Sequence, residues 1–159
     1  MPQNNFERMI RLADEVFAVK NDPTQLDVNE DVLERLKKLH PATVAEETDE
    51  NGPIAWVLVI PTTLELMNRF LEKKISEKEL FNHTQPGAKY EALYLCSAMV
   101  LEEYRRKGIA KRLTLNAIES IRKDHPVKAL FAWPFTKEGD LGAEGISNLT
   151  KLPLYKRQE

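Results

Sequence analysis

The stretch from 90 to 121 places the tightest constraint on how this chain can fold. A largely apolar run over Tyr90–Val100 is long enough for a strand that is buried on both faces. A charged turn follows it, and apolar residues then recur at helical spacing from Ile109 to Ile121. The passage therefore predicts a central strand, a basic turn and a helix over about Lys107–Asp124.

The predicted turn has the features of an anion-binding site. The first backbone N–H groups of a helix have no partner within the helix, and the helix dipole adds partial positive charge at that end. Gly108 lacks a Cβ atom, so a phosphate could approach its backbone closely. Five basic side chains surround it: Arg105, Arg106, Lys107, Lys111 and Arg112. The pattern predicts a site for a diphosphate group.

The motif Arg105-x-x-Gly108-x-Ala110 resembles the acyl-CoA signature of the GNAT superfamily of N-acyltransferases, Gln/Arg-x-x-Gly/Ala-x-Gly/Ala. Its setting between a buried strand and a helix is the one that the signature has in that superfamily. The run Ala98–Arg105 is similar to the family's strand-to-loop passage, and Lys111–Leu113 is similar to its helix. The resemblance extends over about Thr43 to Trp133 and fades toward both ends.

The resemblance implies an α+β fold (an α/β three-layer arrangement). Its centre is a mixed, mostly antiparallel sheet with flanking helices, and two central strands splay apart. The splayed strands correspond here to Tyr90–Val100 and Val127–Trp133. Pro134 is consistent with such a parting because proline cannot donate to a sheet, although it could equally just end a strand.

The resemblance also implies how acyl-CoA is held as a co-substrate. Backbone amides across Arg106–Ala110 would bind the pyrophosphate, and the backbone edge of Ala98–Val100 would pair with the pantetheine amides. A backbone N–H near Met99 would then stabilise the oxyanion of acyl transfer. The implied acyl-CoA site comprises Ala98, Met99, Val100, Arg105, Arg106, Lys107, Gly108, Ile109, Ala110 and Lys111.

The general base is not decided by the sequence. Some family members carry a glutamate eleven positions before the first residue of the signature, and this chain has Tyr94 there. Tyrosine is a poor base at its ordinary pKa, so a role in the core or the pocket wall is the simpler interpretation. Glu91 is the nearest carboxylate on the strand, but strand alternation directs it to the opposite face. Glu46 or Glu47 could instead act through water.

The general acid is equally open. Many members end in a helix whose tyrosine protonates the CoA thiolate, and aligning that segment places Thr150 at the tyrosine position and Ala143 at an upstream asparagine. Tyr155 then matches an aromatic residue of a strand, and a shifted alignment would bring it toward the sulfur. The usual motif is therefore not present as written.

The remaining elements predict one domain over residues 1–159. We expect helices from about Asn4 and Asn29, a hairpin of Thr43–Thr48 with Ile54–Ile60, and two inserted helices beginning near Thr62 and Ser76. The tail is predicted as a glycine-bearing loop, Glu138–Gly145, and then a short helical turn and strand within Leu149–Arg157. The insertion over residues 62–82 could cover the cleft or form a homodimer contact.

Composition narrows the class of protein. The net charge of −2 argues against nucleic acid as a partner, and no run of residues is apolar enough to predict a membrane span. Cys96 is the single cysteine, so no internal disulfide can form, and we expect a cytoplasmic protein.

Few other residues suggest chemistry. Cys96 lies in the buried strand, where a small apolar role is commoner than a nucleophilic one. The three histidines and Cys96 show no spacing typical of metal ligands, so no metal is predicted. Trp133 and Phe135 could shape the acyl or acceptor pocket, or could simply pack.

These features favour an N-acetyltransferase that moves an acetyl group from acetyl-CoA to a primary amine of a small molecule or peptide. The alternative is an acyl-CoA-binding regulatory module with little or no activity, since the usual acid and base are missing. CoA thiolate is a good leaving group, however, so correct positioning could suffice for turnover.

Overall fold

The computed structural model describes residues 4–18, 30–134 and 137–157. The predicted helix start at Asn29 and the side chain of Phe135 lie outside these ranges. The elements in chain order are α1 (Asn5–Ala18), α2 (Glu30–Leu39), β1 (Val44–Asp49), β2 (Gly52–Thr62), α3 (Leu64–Leu71), α4 (Glu77–His83), β3 (Ala92–Val100), a 3₁₀ turn (Glu102–Tyr104), α5 (Ile109–Asp124), β4 (Ala129–Ala132), α6 (Lys137–Thr150) and β5 (Leu154–Lys156).

The strands form one sheet in the order β1-β2-β3-β4-β5. The β1–β2 and β2–β3 pairs are antiparallel, whereas the shorter β3–β4 and β4–β5 pairs are parallel. Most residue pairs in the sheet are therefore antiparallel, and the predicted mixed sheet with flanking helices is confirmed. The predicted hairpin is also present, because β1 and β2 meet at the turn before Gly52.

Helices cover both faces of the sheet and make the fold three-layered. In β2, Ile54, Trp56 and their alternate neighbours pack in a core with residues of α1 to α4. Ala55, Val57 and Val59 point the other way and pack with residues of α5 and α6. Alternation along a strand explains this division, and it explains why the central strands are apolar on both faces.

β3 and β4 part midway along β3. The two strands pair only at Ala92–Tyr94 with Ala129–Phe131. Beyond that point β3 continues to Val100, whereas β4 ends at Ala132. A register irregularity precedes the open part of β3: Leu95 pairs with Val59 and Ser97 with Leu58, so Cys96 is an extra residue in a β-bulge. The predicted splayed strand pair is therefore present.

Two local predictions are wrong. The expected loop at Glu138–Gly145 belongs to α6, because burial of Ala143 and Ile146 outweighs the cost of Gly139, Gly142 and Gly145, about 1 kcal/mol for each glycine relative to alanine. The cap of the first inserted helix is Thr63 rather than Thr62, and α3 begins at Leu64. Thr63 caps α3 by accepting a hydrogen bond from the Leu66 N–H.

Candidate functional site

The turn between β3 and α5 folds back through two left-handed residues. The 3₁₀ turn is closed by hydrogen bonds from the Tyr104 N–H to the Leu101 carbonyl and from the Arg105 N–H to the Glu102 carbonyl. Arg106 then adopts a φ of 65° and Gly108 a φ of 75°. Glycine adopts this conformation at little cost, which explains the glycine at the first position before the helix.

This geometry leaves a row of backbone N–H groups without partners. The first α5 bond recorded runs from the Arg112 N–H to the Gly108 carbonyl, and no side chain caps the helix. In the part of the chain that the structure describes, no acceptor is found for the N–H groups of residues 106–111. Gly108 is exposed, and nothing lies within 4 Å of the position that a Cβ would take there. Donors at a helix start, open to solvent, form a site for an anion.

The basic side chains around this row are held to different degrees. The Arg105 Nε donates to the Val100 carbonyl over 2.9 Å, and the Lys107 ammonium lies 5.6 Å from the centre of the Tyr104 ring. Arg106 and Lys111 are exposed. Arg112 instead pairs with Glu47 at 2.7 Å. Four of the five predicted cations are thus available around the turn, and the fifth is engaged by a carboxylate.

A polar network fixes the turn to the rest of the protein. Tyr104 donates its hydroxyl proton to Asp49 over 2.6 Å, and the Asn5 side-chain amide donates to the other oxygen of Asp49 over 2.8 Å. Arg8 contacts both oxygens of Glu103, at 2.7 and 2.9 Å. This hydrogen-bonded contact lowers the pKa of Glu103 to about 2, and the hydrogen bond from Tyr104 lowers the pKa of Asp49. The network joins α1 and the β1–β2 hairpin to the turn.

The open half of β3 lies beside the turn. The Leu101 N–H donates to the Ile54 carbonyl of β2, and Met99 pairs with Trp56. Since alternate residues direct their backbone groups to opposite edges, those of Ala98 and Val100 face the edge that β4 leaves. Ala98 is exposed and Val100 half-buried, whereas the Met99 side chain is buried in the core. An extended ligand could add to this edge as a strand.

Tyr94 lies where the strands part. It is the last β3 residue paired with β4, opposite Phe131, and its side chain is fully buried. Its hydroxyl donates to the Glu77 carboxylate of α4 over 2.5 Å, and Glu77 is itself buried. Burial raises the pKa of Tyr94 well above its ordinary value, and the nearby charge of Glu77 adds to the shift. A buried phenol and carboxylate therefore meet at the inner end of the cleft.

Ser97 adds a further polar group near the bulge. It pairs with Leu58, whose side chain belongs to the core on the α1–α4 side, so the Ser97 side chain faces that side together with Tyr94. Its hydroxyl is shielded from solvent and has no hydrogen-bond partner in the described residues. Such a group costs free energy unless something binds it.

The other candidate residues are not brought to this point. Glu91 precedes β3 at the end away from Ala98 and pairs with Lys128 at 3.0 Å. Glu46 accepts a hydrogen bond from the Trp56 indole at 2.6 Å. Thr150 is buried and donates its hydroxyl proton to the Ile146 carbonyl. Tyr155 lies on β5 and is 46% exposed.

The histidines next to prolines serve packing at the far end of the sheet. The His40 Nε2 lies 2.7 Å from an Asp124 oxygen, and its Nδ1 accepts a hydrogen bond from the Ala42 N–H. His125 packs against Tyr90 and accepts a hydrogen bond from its backbone N–H. Among the described residues, no group of three or more His, Cys, Asp or Glu side chains could hold a metal ion. None of the described helices is long and apolar enough to cross a bilayer.

Sequence reasoning missed Glu77. The pattern Ser76-x-x-Glu79 predicted only a helix start, and both hydrogen bonds of that capping box are present. The cap makes Glu77 the first residue of α4, but no local pattern indicates that its side chain enters the core. The one available signal was Tyr94, which stands where some members of the family that the sequence resembles carry a glutamate. That difference indicates that a carboxylate could come from another part of the chain.

The model of the GNAT acetyltransferase family matches residues 7–144, which is most of the chain. The chain belongs to the GNAT acetyltransferase family. A search of curated protein sequences found no match.

Two solved structures resemble this GNAT chain at a distance. One is the aminoglycoside N-acetyltransferase AAC(6')-Iy in complex with CoA, with 13% identity, a TM-score of 0.41, and coverage of 75% of this chain and 86% of that one. The other is a tetramutant of the BH1408 protein from Bacillus halodurans, with 17% identity, a TM-score of 0.46, and coverage of 92% and 86%.

Proposed function

We propose that this protein is an N-acetyltransferase that transfers the acetyl group of acetyl-CoA to a primary amine of a small molecule or peptide. The observation that carries the proposal is the row of unpartnered N–H groups over residues 106–111, beside the open edge of β3. Membership of an acetyltransferase family supports acetyl transfer in general. The kind of amine is our inference.

The two halves of the site suit the two parts of CoA. A diphosphate would accept hydrogen bonds from the N–H groups at the start of α5, with Arg106, Lys107 and Lys111 offsetting its charge. The pantetheine arm carries two amides, which could pair with the backbone of Ala98 and Val100. The arm would lead from the turn toward Tyr94, where the strands part.

Acetyl transfer needs a donor for the developing oxyanion. The register of β3 favours the N–H of Ala98 or Val100 over that of Met99, because the latter points toward β2. The amine nitrogen would attack the thioester carbonyl, and the C–S bond would break with departure of the CoA thiolate. That thiolate is a good leaving group near neutral pH, so an acid is less necessary than positioning.

Thermal melting with acetyl-CoA, CoA and ATP tests binding. A specific site raises the free energy of unfolding by about 2.7 kcal/mol at a hundredfold excess over the dissociation constant. We expect both CoA species to raise the melting temperature more than ATP does, because ATP has no pantetheine arm. No shift with either CoA species would refute the proposal.

Release of free thiol from acetyl-CoA across a panel of primary amines tests the chemistry. Amine-dependent release above the rate of hydrolysis is the expected result. A melting shift without release on any amine would favour the alternative, an acyl-CoA-binding regulatory module.

A further inference from the structure

We infer that Glu77 and Tyr94 form the proton relay of this acetyltransferase, with Tyr94 taking a proton from the acceptor ammonium as it passes its own to Glu77. The inference rests on the proposed function, since a relay serves only if an amine is acetylated. It also gives the insertion between β2 and β3 a chemical role, because that insertion supplies Glu77.

The position of the pair supports this role. Tyr94 is the last residue of β3 that β4 pairs with, so its ring stands at the inner end of the gap between the strands. Its hydroxyl and Ser97, the residue after the bulge, face the α1–α4 side of the sheet. The ligand edge at Ala98 and Val100 begins directly after the bulge. The Tyr94 hydroxyl is buried in this structure, so the relay requires the acceptor to enter the gap between β3 and β4 far enough to contact the phenol beside the thioester.

The insertion is built so that Glu77 reaches Tyr94. The capping box of Ser76 and Glu79 fixes the first turn of α4, and the docking of this helix buries Glu77 in the core. Phe70 of α3 packs edge-on against the Tyr94 ring with centroids 5.1 Å apart. Phe131 stacks on the Tyr94 ring with centroids 5.0 Å apart, and it also contacts Phe70. The phenol is therefore held in one orientation, with its proton directed at the carboxylate.

Other ionisable groups near Tyr94 are Cys96 and Arg157. The Arg157 guanidinium lies over the rings of Phe70 and Trp133, at 4.4 and 4.7 Å from their centres, and donates to the Ile75 carbonyl. These three contacts hold the Arg157 guanidinium in place. The Tyr94 hydroxyl donates its hydrogen bond to Glu77.

The proton balance closes within the pair. An N–H bond of the ammonium breaks as an O–H bond forms on Tyr94, and the original Tyr94 proton moves to a Glu77 oxygen. The neutral amine then attacks the thioester carbonyl and the C–S bond breaks. The departing thiolate takes the surplus proton of the attacking nitrogen. After product release, Glu77 passes its proton back to Tyr94 as Tyr94 gives its own to water that enters the gap. No further reactant is needed.

Two variants and a matched pair of amines test the relay. Glu77→Gln keeps an oxygen that accepts the hydrogen bond from Tyr94, but the amide cannot take up the proton. Tyr94→Phe removes the hydroxyl and keeps the packing of the ring, so it tests the relay even if Glu77→Gln does not fold. Glu65→Gln is the control, since that carboxylate is on α3 and its side chain is 71% exposed. The amines are ethylamine, which is protonated at pH 7.5, and 2,2,2-trifluoroethylamine, which is mostly neutral there.

With ethylamine, we expect kcat/KM of the two relay variants to fall by about a hundredfold or more, the usual size of general-base catalysis. With trifluoroethylamine, which has no proton to lose before attack, the fall should be less than about tenfold. Because only ethylamine that is already neutral can attack in Glu77→Gln, the activity of this variant should follow the neutral fraction of the amine and rise with pH more steeply than that of the unchanged protein. The melting shift with acetyl-CoA should be unchanged.

Equal losses with both amines, or unchanged pH profiles, would overturn the relay and leave the proposed function standing. Such a result would make Glu77 and Tyr94 a structural pair. Failure of the unchanged protein to acetylate any amine would overturn the proposed function, and the relay with it.

Discussion

Replacing Gly108 by aspartate and by asparagine isolates the charge at the proposed diphosphate site. Both residues have the same shape and tolerate the left-handed backbone that Gly108 adopts better than most, and a Cβ there meets no neighbour. Any cost in fold stability or backbone entropy therefore cancels between the two variants. What remains is one negative charge beside the N–H groups of residues 106–111.

The size of the effect follows from Coulomb's law. At about 5 Å, each pair of unit charges repels by about 0.8 kcal/mol in water and about 3 kcal/mol at the effective dielectric constant of about 20 that suits a protein surface. Each pair thus weakens binding by roughly 4-fold to 150-fold. Gly108 is exposed, which favours the lower end, but a diphosphate carries more than one charge. We expect the aspartate variant to bind CoA about 10-fold to 100-fold more weakly than the asparagine variant.

Isothermal titration of CoA into both variants at low and high salt measures this difference. The gap between them should narrow as salt rises from about 0.05 M to 0.5 M, because screening shortens the reach of an exposed charge. The asparagine variant should keep measurable binding, since the row of N–H groups is still there. Equal affinities at low salt would refute the argument and place the phosphates elsewhere.

Three further predictions concern stability. Because the pKa of Glu103 is lowered to about 2, its carboxylate stabilises the folded state above about pH 4.5, and this stabilisation is lost as the pH falls toward 2. The melting temperature of Glu103→Gln should therefore fall less over that range than that of the unchanged protein. Burial and then the nearby His40 lower the pKa of His125, so stability should decrease as pH falls below about 6.5, and His125→Gln should decrease less between pH 7.5 and 5.5. Ser76→Ala removes the α4 cap and should cost about 1 kcal/mol in urea unfolding, whereas Glu79→Gln, which preserves a capping box, should cost much less. Parallel pH curves, or equal costs for the two α4 variants, would contradict these assignments.

The sequence predicted the parts of the fold whose physics is local. The apolar run before Val100, the turn at Gly108 and the capping box at Ser76 each contain their own explanation, so β3, the start of α5 and the start of α4 were predicted within a residue or two. α6 was missed at its start because its three glycines disfavour a helix, while the burial that overrides them depends on the distant α5 and the sheet.

The site divides in the same way. The proposed diphosphate half is one continuous stretch, 105–111, so its residues could be read in order along the chain. The proposed chemical half joins residues that are farther apart, since Tyr94 meets Glu77 across 17 positions. The contact between Arg8 and Glu103, which holds the turn in place, spans 95 positions. Burial of a carboxylate on a short helix follows from how that helix docks on the sheet, which neither periodicity nor capping predicts.

The bulge at Cys96 links strand length to ligand access. Over the span where the two strands run together, β3 has one residue more than β2, and a strand with a surplus residue must bend. A chain lacking Cys96 would keep each core side chain on its present face, because its neighbours Leu95 and Ser97 already pair with adjacent residues of β2. Such a chain would also lack the bend that helps β3 diverge from β4. Such a deletion should yield a well-folded protein with a narrower opening and poor affinity for acetyl-CoA.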